Sequence, residues 1–317
     1  MLLRPELMHI PDGFLSTIVS ILFWVISVLA LAYALRRTAK DLGERQVPLM
    51  GVLAAAIFAG QMLNFSVTGG TSGHLLGAAL ATILLGPWPA VIVMTSVVSI
   101  QALVFQDGGL LALGANLFNM AIVGVAVAYF VYTSIRRLAP QKSWSAMVGG
   151  FVAAWSSIFI ASLSAALQLA ISGTSPANIA VPAMAGIHAL IGVGEGLITV
   201  GALTFLFATR RDLLAAEQAG TRGGAGVWVF GLGIALLLAV FSPLASAHPD
   251  GLEWVAEQKG FLEAARGPFF NLIPNYIFPG VSNEALATIL AGIVGTLLVF
   301  AVSLGVGYTR RARKSTA

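Results

Sequence analysis

The sequence contains no cysteine. That absence removes disulfides, thiolate metal ligands, iron–sulfur clusters and thiol nucleophiles together, so a metal ion on this chain must be held by nitrogen or oxygen. Charge is scarce as well: Asp, Glu, Lys and Arg make up 9% of the 317 residues, against roughly 25% in an ordinary soluble domain. This scarcity excludes a soluble enzyme, a disordered tail and a nucleic-acid binder. No G-x-x-x-x-G-K-[ST] loop occurs, so the chain has no ATP hydrolysis of its own. His-Glu-x-x-His and Gly-x-Ser-x-Gly are also lacking, which leaves an intramembrane enzyme without its usual chemistry.

What is present is apolar. Hydrophobic residues are 58% of the chain and the mean hydropathy is +0.91, the composition of a chain solvated mostly by lipid. Its 35 glycines and 13 prolines are scattered without period, so collagen-like and low-complexity readings fail. A helix needs about 20 apolar residues to span the hydrocarbon core. Nine stretches qualify, at about 17–35, 47–64, 73–87, 89–106, 112–133, 146–171, 183–208, 227–245 and 286–308. The third is short and ends at Gly86-Pro87-Trp88-Pro89, where two prolines break the helix. The expected fold is therefore an all-α polytopic membrane protein of about nine transmembrane helices.

The basic residues orient it. With the N-terminus outside, the cytoplasmic side carries Arg36, Arg37, Lys40 and Arg45, then Arg136, Arg137 and Lys142, then Arg210, Arg211 and Arg222, then Arg310, Arg311, Arg313 and Lys314. These are fourteen of the 17 Lys and Arg. Only Arg4, Lys259 and Arg266 fall outside, and the positive-inside rule selects N-out, C-in. The one long polar connection, 246–285, then lies outside. The Gly-rich stretch 212–226 reads as a cytoplasmic linker between a seven-span unit, 8–211, and a two-span unit, 227–317. Residues 1–7 contribute no recognisable feature and read as a misassigned leader.

A histidine in or near a bilayer calls for a reason, and there are four: His9, His74, His188 and His248. His9 precedes the first span on the outside, and His74 sits at the outer mouth of the third, after Thr68-Gly69-Gly70-Thr71-Ser72-Gly73. The bland reading is an interfacial histidine before a helix capped by Asp12 or Ser16, and a histidine bonded to a helix end. The sharper one begins from Met8 as a start. The α-amine of Met8, the backbone nitrogen of His9 and its imidazole would form two fused chelate rings, and His74 would complete a planar set of four nitrogens. That set suits Ni(II), Cu(II) and, less strictly, Co(II), whereas zinc prefers a tetrahedron. Asp107 and Glu195 are acids in or beside apolar segments, where ionisation is costly and a partner is expected. His188 and Glu195 lie seven residues apart, two turns along one helical face. With Asp12 and Asn64, these polar residues read either as groups that position the ligands or as ties between helices. Ala30 and Ala34 form a small-xxx-small pair that lets another helix approach.

Met8-His9-Ile10-Pro11-Asp12-Gly13-Phe14-Leu15-Ser16 resembles the N-terminal signature of the NikM/CbiM family, the substrate-binding components of energy-coupling factor (ECF) nickel and cobalt transporters. The resemblance continues through Gly69-Gly70-Thr71-Ser72-Gly73-His74, Leu85-Gly86-Pro87-Trp88, Gln101 to Leu110, and Gly192-Val193-Gly194-Glu195-Gly196. His248-Pro249-Asp250-Gly251-Leu252-Glu253 resembles the PDGLE-type NikN/CbiN partner, as though the two were fused. The resemblance implies a seven-helix S component that binds Ni2+ or Co2+ through Met8, His9 and His74. It also implies a transmembrane coupling subunit of EcfT type, met by alanine motifs such as Ala30 and Ala34, two ABC-type ATPases, and the plasma membrane of a prokaryote. One departure is plain: seven residues precede Met8, which makes its amine an amide in the chain as written. The competing class is an ion-coupled secondary transporter or channel that moves protons or cations past Asp107, His188 and Glu195.

Overall fold

The structure is a computed structural model that describes residues 8–43, 46–140, 142–209, 226–268 and 270–315. The proposed leader at 1–7, nearly all of the linker 212–226, and Arg45, Arg210, Arg211 and Arg222 lie outside the described residues.

Helices dominate. Those long and apolar enough to cross a membrane number six among the described residues: Thr17–Lys40, Pro87–Phe105, Leu113–Leu138, Trp144–Ile171, Ala177–Thr209 and Glu284–Arg310. Two shorter apolar helices, Gln46–Gln61 and Trp228–Val240, accompany them. In chain order the elements are α1 (Thr17–Asp41), α2 (Gln46–Gln61), a hairpin of β1 (Phe65–Val67) and β2 (Thr71–Gly73), then α3 (Ala78–Leu85) and α4 (Pro87–Ile100), which runs into a π-helical turn Gln101–Phe105. There follow α5 (Leu113–Leu117), joined through a second π-helical stretch to α6 (Gly124–Leu138), then α7 (Ser143–Ile171) and α8 (Ala177–Thr209). The chain closes with α9 (Gly226–Val240), α10 (Gly251–Lys259) and α11 (Glu284–Ser315).

The third apolar stretch differs most from expectation. In place of a spanning helix over 73–87 stands an extended hairpin arm followed by α3, whose eight residues rise only about 12 Å. Gly77 (φ 80) and Gly86 (φ 79) bound it in backbone conformations that a helix cannot continue through. The break at Gly86-Pro87 is expected from the sequence, whereas hydropathy registers the apolar content before it and misses the break at Gly77. Six of the eight residues of α3 are buried, so this irregular stretch is wrapped in protein, where non-helical backbone is tolerated at membrane depth.

Helix α7 packs along α8 and α6, while α2 packs between α9 and α11. Small residues permit the close approaches, as where Gly231 of α9 meets Val52 and Gly51 meets Phe300 of α11. Helix α1 turns Ile18, Ile21, Leu22, Val25, Leu29 and Tyr33 outward and Ser20, Ser27, Ala34 and Thr38 inward. Of its inward hydroxyls, that of Ser27 donates to the Gly114 carbonyl at 2.7 Å.

The segment between α9 and α11 lies over one end of this bundle and is stitched there by main-chain bonds. Ser246 N–H donates to Asn64 O, Ser72 N–H to Pro249 O, Arg266 N–H to Asp12 O and Ile273 N–H to Val104 O, at 2.7–3.0 Å. Its helix α10 starts because Asp250 caps it, accepting from Glu253 N–H at 2.7 Å. It ends at Gly260 in the left-handed conformation.

Candidate metal centre

The stretch before α1 is the part of the chain that most needs a reason to be buried, since it has no helix of its own to satisfy its backbone. Side chains supply the bonds. The Asn116 amide pairs with both main-chain groups of Ile10, accepting from its N–H and donating to its carbonyl at 3.0 Å each. Asp12 accepts from Ala112 N–H at 2.9 Å and Leu110 N–H at 3.1 Å, so it tethers the stretch to the turn before α5. The cap of α1 is Ser16, which accepts from Val19 N–H. A side chain at Gly109 would overlap the Asp12 carboxylate. His9 is thereby threaded into the bundle and only 4% exposed.

His74 arrives from the other direction, at the junction of β2 and α3. Glu195 of α8 fixes that junction: its two oxygens accept from Leu76 N–H at 2.6 Å and Gly77 N–H at 3.0 Å. The Leu76 carbonyl accepts from Gln61 Nε2 at 2.9 Å, and Gln61 Oε1 from Gln101 Nε2 at 2.8 Å. Upstream, the Ser72 hydroxyl donates to the His248 carbonyl at 2.8 Å and the Thr71 hydroxyl to the Pro249 carbonyl at 3.0 Å.

The two threads place His9 and His74 face to edge, ring centroids 5.7 Å apart and planes at 78°. His74 Nδ1 lies 3.1 Å from the Leu75 carbonyl, and the ring is also hydrogen-bonded to the Met8 main chain. His9 Nδ1 lies 3.0 Å from Asp107 Oδ1 and 3.3 Å from the Asp107 carbonyl, while His9 Nε2 is buried without a hydrogen-bond partner. Asp107 Oδ2 accepts from the Tyr276 hydroxyl at 2.6 Å.

The charges follow from that geometry. Burial alone would lower the His9 pKa, but the charge and hydrogen bonds of Asp107 outweigh it and the net shift is upward. Asp107 answers in kind: burial pushes its carboxyl up, yet His9 and then Tyr276 bring it below the ordinary value. Burial and the neighbouring His9 lower the His74 pKa. The two shifts therefore run in opposite directions, toward the neutral ring for His74 and toward the protonated ring beside Asp107 for His9.

His9 and His74 line a cavity of about 80 Å³ together with Met8, Asn116, His188 and Asp250. No group of three or more His, Cys, Asp or Glu is gathered for a metal ion among the described residues. The side-chain nitrogens that the two threads bring together are those of His9 and His74. The planar chelate needs His9 Nδ1, which alone closes a ring with its own amide, and that atom faces Asp107 in this structure. Chelation through Nδ1 would require the ring to turn away from Asp107, whereas Nε2 is the nitrogen left unpartnered as the ring stands.

The remaining expected residues have definite places. His188 lines the same cavity, with Nδ1 2.9 Å from the Met184 carbonyl, and its ring packs on Gly251. Glu195 serves the backbone of the His74 junction and lines no part of the cavity. Asn64 stands at the base of the hairpin, its carbonyl holding Ser246. Of the small-residue pair on α1, Ala34 is fully buried and Ala30 is half-buried. The outward stripe of α1 is offset from that pair because 3.6 residues per turn carry Ala34 to the inner face. Sequence reasoning missed two residues, Tyr276 and Asp250. A signal for Asp250 existed: Pro-Asp-Gly occurs at 11–13, beside His9, and again at 249–251. Nothing in the sequence distinguished Tyr276 from its aromatic neighbours.

Residues 9–213 match the cobalt uptake substrate-specific transmembrane region, CbiM, and residues 225–312 match the PDGLE domain. The chain belongs to the CbiM family. The putative fused nickel transport protein NikMN of Archaeoglobus fulgidus is 40% identical over 309 residues, spanning 96% of this chain and 99% of the relative. The fused nickel transport protein NikMN of Rhodobacter capsulatus is 31% identical, spanning 96% of this chain and 100% of the relative. The cobalt transport protein CbiM of Geobacter sulfurreducens is 32% identical over 79% of this chain and 74% of its own length. A crystal structure described as a truncated transition metal transporter superposes with a TM-score of 0.56 at 36% identity, covering 63% of this chain and 99% of that one. His9, His74, Asp107, His188 and Glu195 all lie in the CbiM region, whereas Asp250 and Tyr276 belong to the PDGLE region.

Proposed function

We propose that this protein takes up Ni2+ or Co2+ as the substrate-binding membrane component of an ECF-type importer, in the plasma membrane of a prokaryote. The observation that carries the reading is the buried pair of imidazoles, His9 with an unpartnered Nε2 and His74 beside it, in a chain whose relatives are named for nickel and cobalt transport. Imidazole suits both ions. The ion is bound by His9, His74 and the Met8 amine once residues 1–7 are absent, with the Met8 segment outside and the C-terminus inside. Release inward is driven by a coupling subunit and two ABC-type ATPases, because the chain has no phosphate-binding loop of its own.

The secondary-transporter reading finds less support. Both oxygens of Glu195 are engaged by main-chain N–H groups, which accounts for this buried acid without a proton path.

Metal analysis of membrane-purified protein tests the site. Wild type is expected to retain about one nickel or cobalt ion per chain, and His74→Ala to retain none while inserting at the normal level, because nitrogen ligands set affinity in such a site. Equal metal content in the two proteins refutes the proposal. N-terminal sequencing of the same sample checks the Met8 amine, and uptake that persists without ATPase and coupling subunits overturns the importer assignment.

A further inference from the structure

The Tyr276 hydroxyl reaches across 169 positions of sequence to donate to Asp107 Oδ2 at 2.6 Å. The other oxygen of that carboxylate is the one 3.0 Å from the His9 ring. The backbone that delivers the hydroxyl is unusual, since Asn275 (φ 54) and Tyr276 (φ 57) are consecutive non-glycine residues in the left-handed region. Such a conformation is costly and persists where its surroundings enforce it. They do so here: the Tyr276 ring stacks on Phe105 with centroids 4.8 Å apart and planes at 12°, and Ile273 N–H donates to the Val104 carbonyl at 3.0 Å. The Gln101 amide also reaches the Tyr276 hydroxyl. Through Gln61, Gln101 holds the Leu76 carbonyl, two residues beyond His74. One hydroxyl therefore touches the networks behind both histidines.

We infer that Tyr276 is a positioning residue of the metal centre, supplied by the PDGLE region, which locks the Asp107 carboxylate so that one oxygen alone faces His9 and fixes which of its nitrogens is free for the ion. The inference rests on the metal-binding reading above. A ligating histidine almost always gives its other ring N–H to an acceptor that sets its tautomer and orientation, and Asp107 is the acceptor within reach. Burial, then the neighbouring Asp107, raises the Tyr276 pKa well above its ordinary value, so the hydroxyl remains a donor at any working pH. Without it, Asp107 is free to rotate and to present an oxygen to the ion, which replaces an all-nitrogen set with a mixed one. The PDGLE region is on this account part of the site and more than a cover over it.

Tyr276→Phe in the full-length chain tests this, because the stacking on Phe105 is kept and only the hydroxyl is lost. Nickel or cobalt chloride is titrated into detergent-purified wild type, Tyr276→Phe, Asp107→Asn and the double variant, recording affinity and the visible ligand-field spectrum of the bound ion. Tyr276→Phe is expected to weaken binding about 10-fold or more, within the range of about 10–100-fold for groups that orient a ligand, and to shift the spectrum while the protein still unfolds cooperatively. In the double variant the loss should equal that of Asp107→Asn alone, because Tyr276 acts through that carboxylate. Wild-type affinity and spectrum in Tyr276→Phe, or additive losses in the double variant, overturn the inference while leaving the metal-binding reading in place. A wild type that takes up neither ion overturns both.

Discussion

Replacing Glu195 separates its two readings, as a support for His74 and as a station on an ion path. Glu195→Gln keeps the shape, so no cavity term enters. One oxygen still accepts a main-chain N–H, but the new NH2 group confronts the other with a second donor. One buried N–H, of Leu76 or Gly77, is then left without an acceptor, at a cost of about 1–3 kcal/mol. That cost falls on the junction between β2 and α3, which also carries His74. If it is all taken from the population in which His74 is placed for the ion, apparent affinity falls by the same free energy, about 5- to 150-fold. Glu195→Ala orphans both donors and should cost about twice as much, with a cavity term added.

The assay is a paired one: thermal unfolding in detergent, and nickel or cobalt titration, of wild type, Glu195→Gln and Glu195→Ala. Loss of stability and of affinity should rise together through that series. A Glu195→Gln protein with wild-type melting temperature and wild-type affinity refutes the argument from the two N–H bonds. If the same protein has also lost transport that responds to the proton gradient, the ion-path reading gains what the supporting role loses.

How much of this arrangement was legible in the sequence depends on the range of the interaction. Helix α1, the helix of Pro87–Phe105 and the long helices α7, α8 and α11 were visible as apolar runs, because burial in lipid or protein needs only length and composition. The stretch 73–87 reads as a span because the break at Gly77 weighs little in a hydropathy average, while the prolines after Gly86 mark its end. His9, His74 and Asp107 stood out because ionisable groups are rare in such a chain, and the structure brings all three together. Glu195 was noticed for the same reason, but its partners are main-chain N–H groups 118 and 119 positions away, and no side-chain pattern points to those. Tyr276 was illegible altogether: its role lies in one hydroxyl and a left-handed backbone that its neighbours impose.

Two further outcomes follow from the PDGLE segment. A methyl group at Gly251 would stand 2.8 Å from Ile191 Cδ1 and 3.0 Å from His188 Cε1, so Gly251→Ala should loosen α10 from α8 at about 1–3 kcal/mol. Faster proteolytic cleavage within 246–285 checks this, and wild-type resistance refutes it. Asp250 makes the attachment sensitive to pH. Burial raises its pKa to about 8, against the opposing bond from Glu253 N–H, so the folded protein keeps this proton up to about pH 8. The unfolded chain releases it near the ordinary value of about 4. Between those limits the folded state binds more protons, and stability must fall as pH rises, by at most about 1.4 kcal/mol per unit. Asp250→Asn keeps an N-cap acceptor for Glu253 N–H and removes the titration. Its melting temperature should therefore decline less than that of wild type between about pH 5 and about pH 8, where the two protonation states diverge. Parallel curves would mean that Asp250 is already ionised in the fold, with a cation or an uncounted donor beside it.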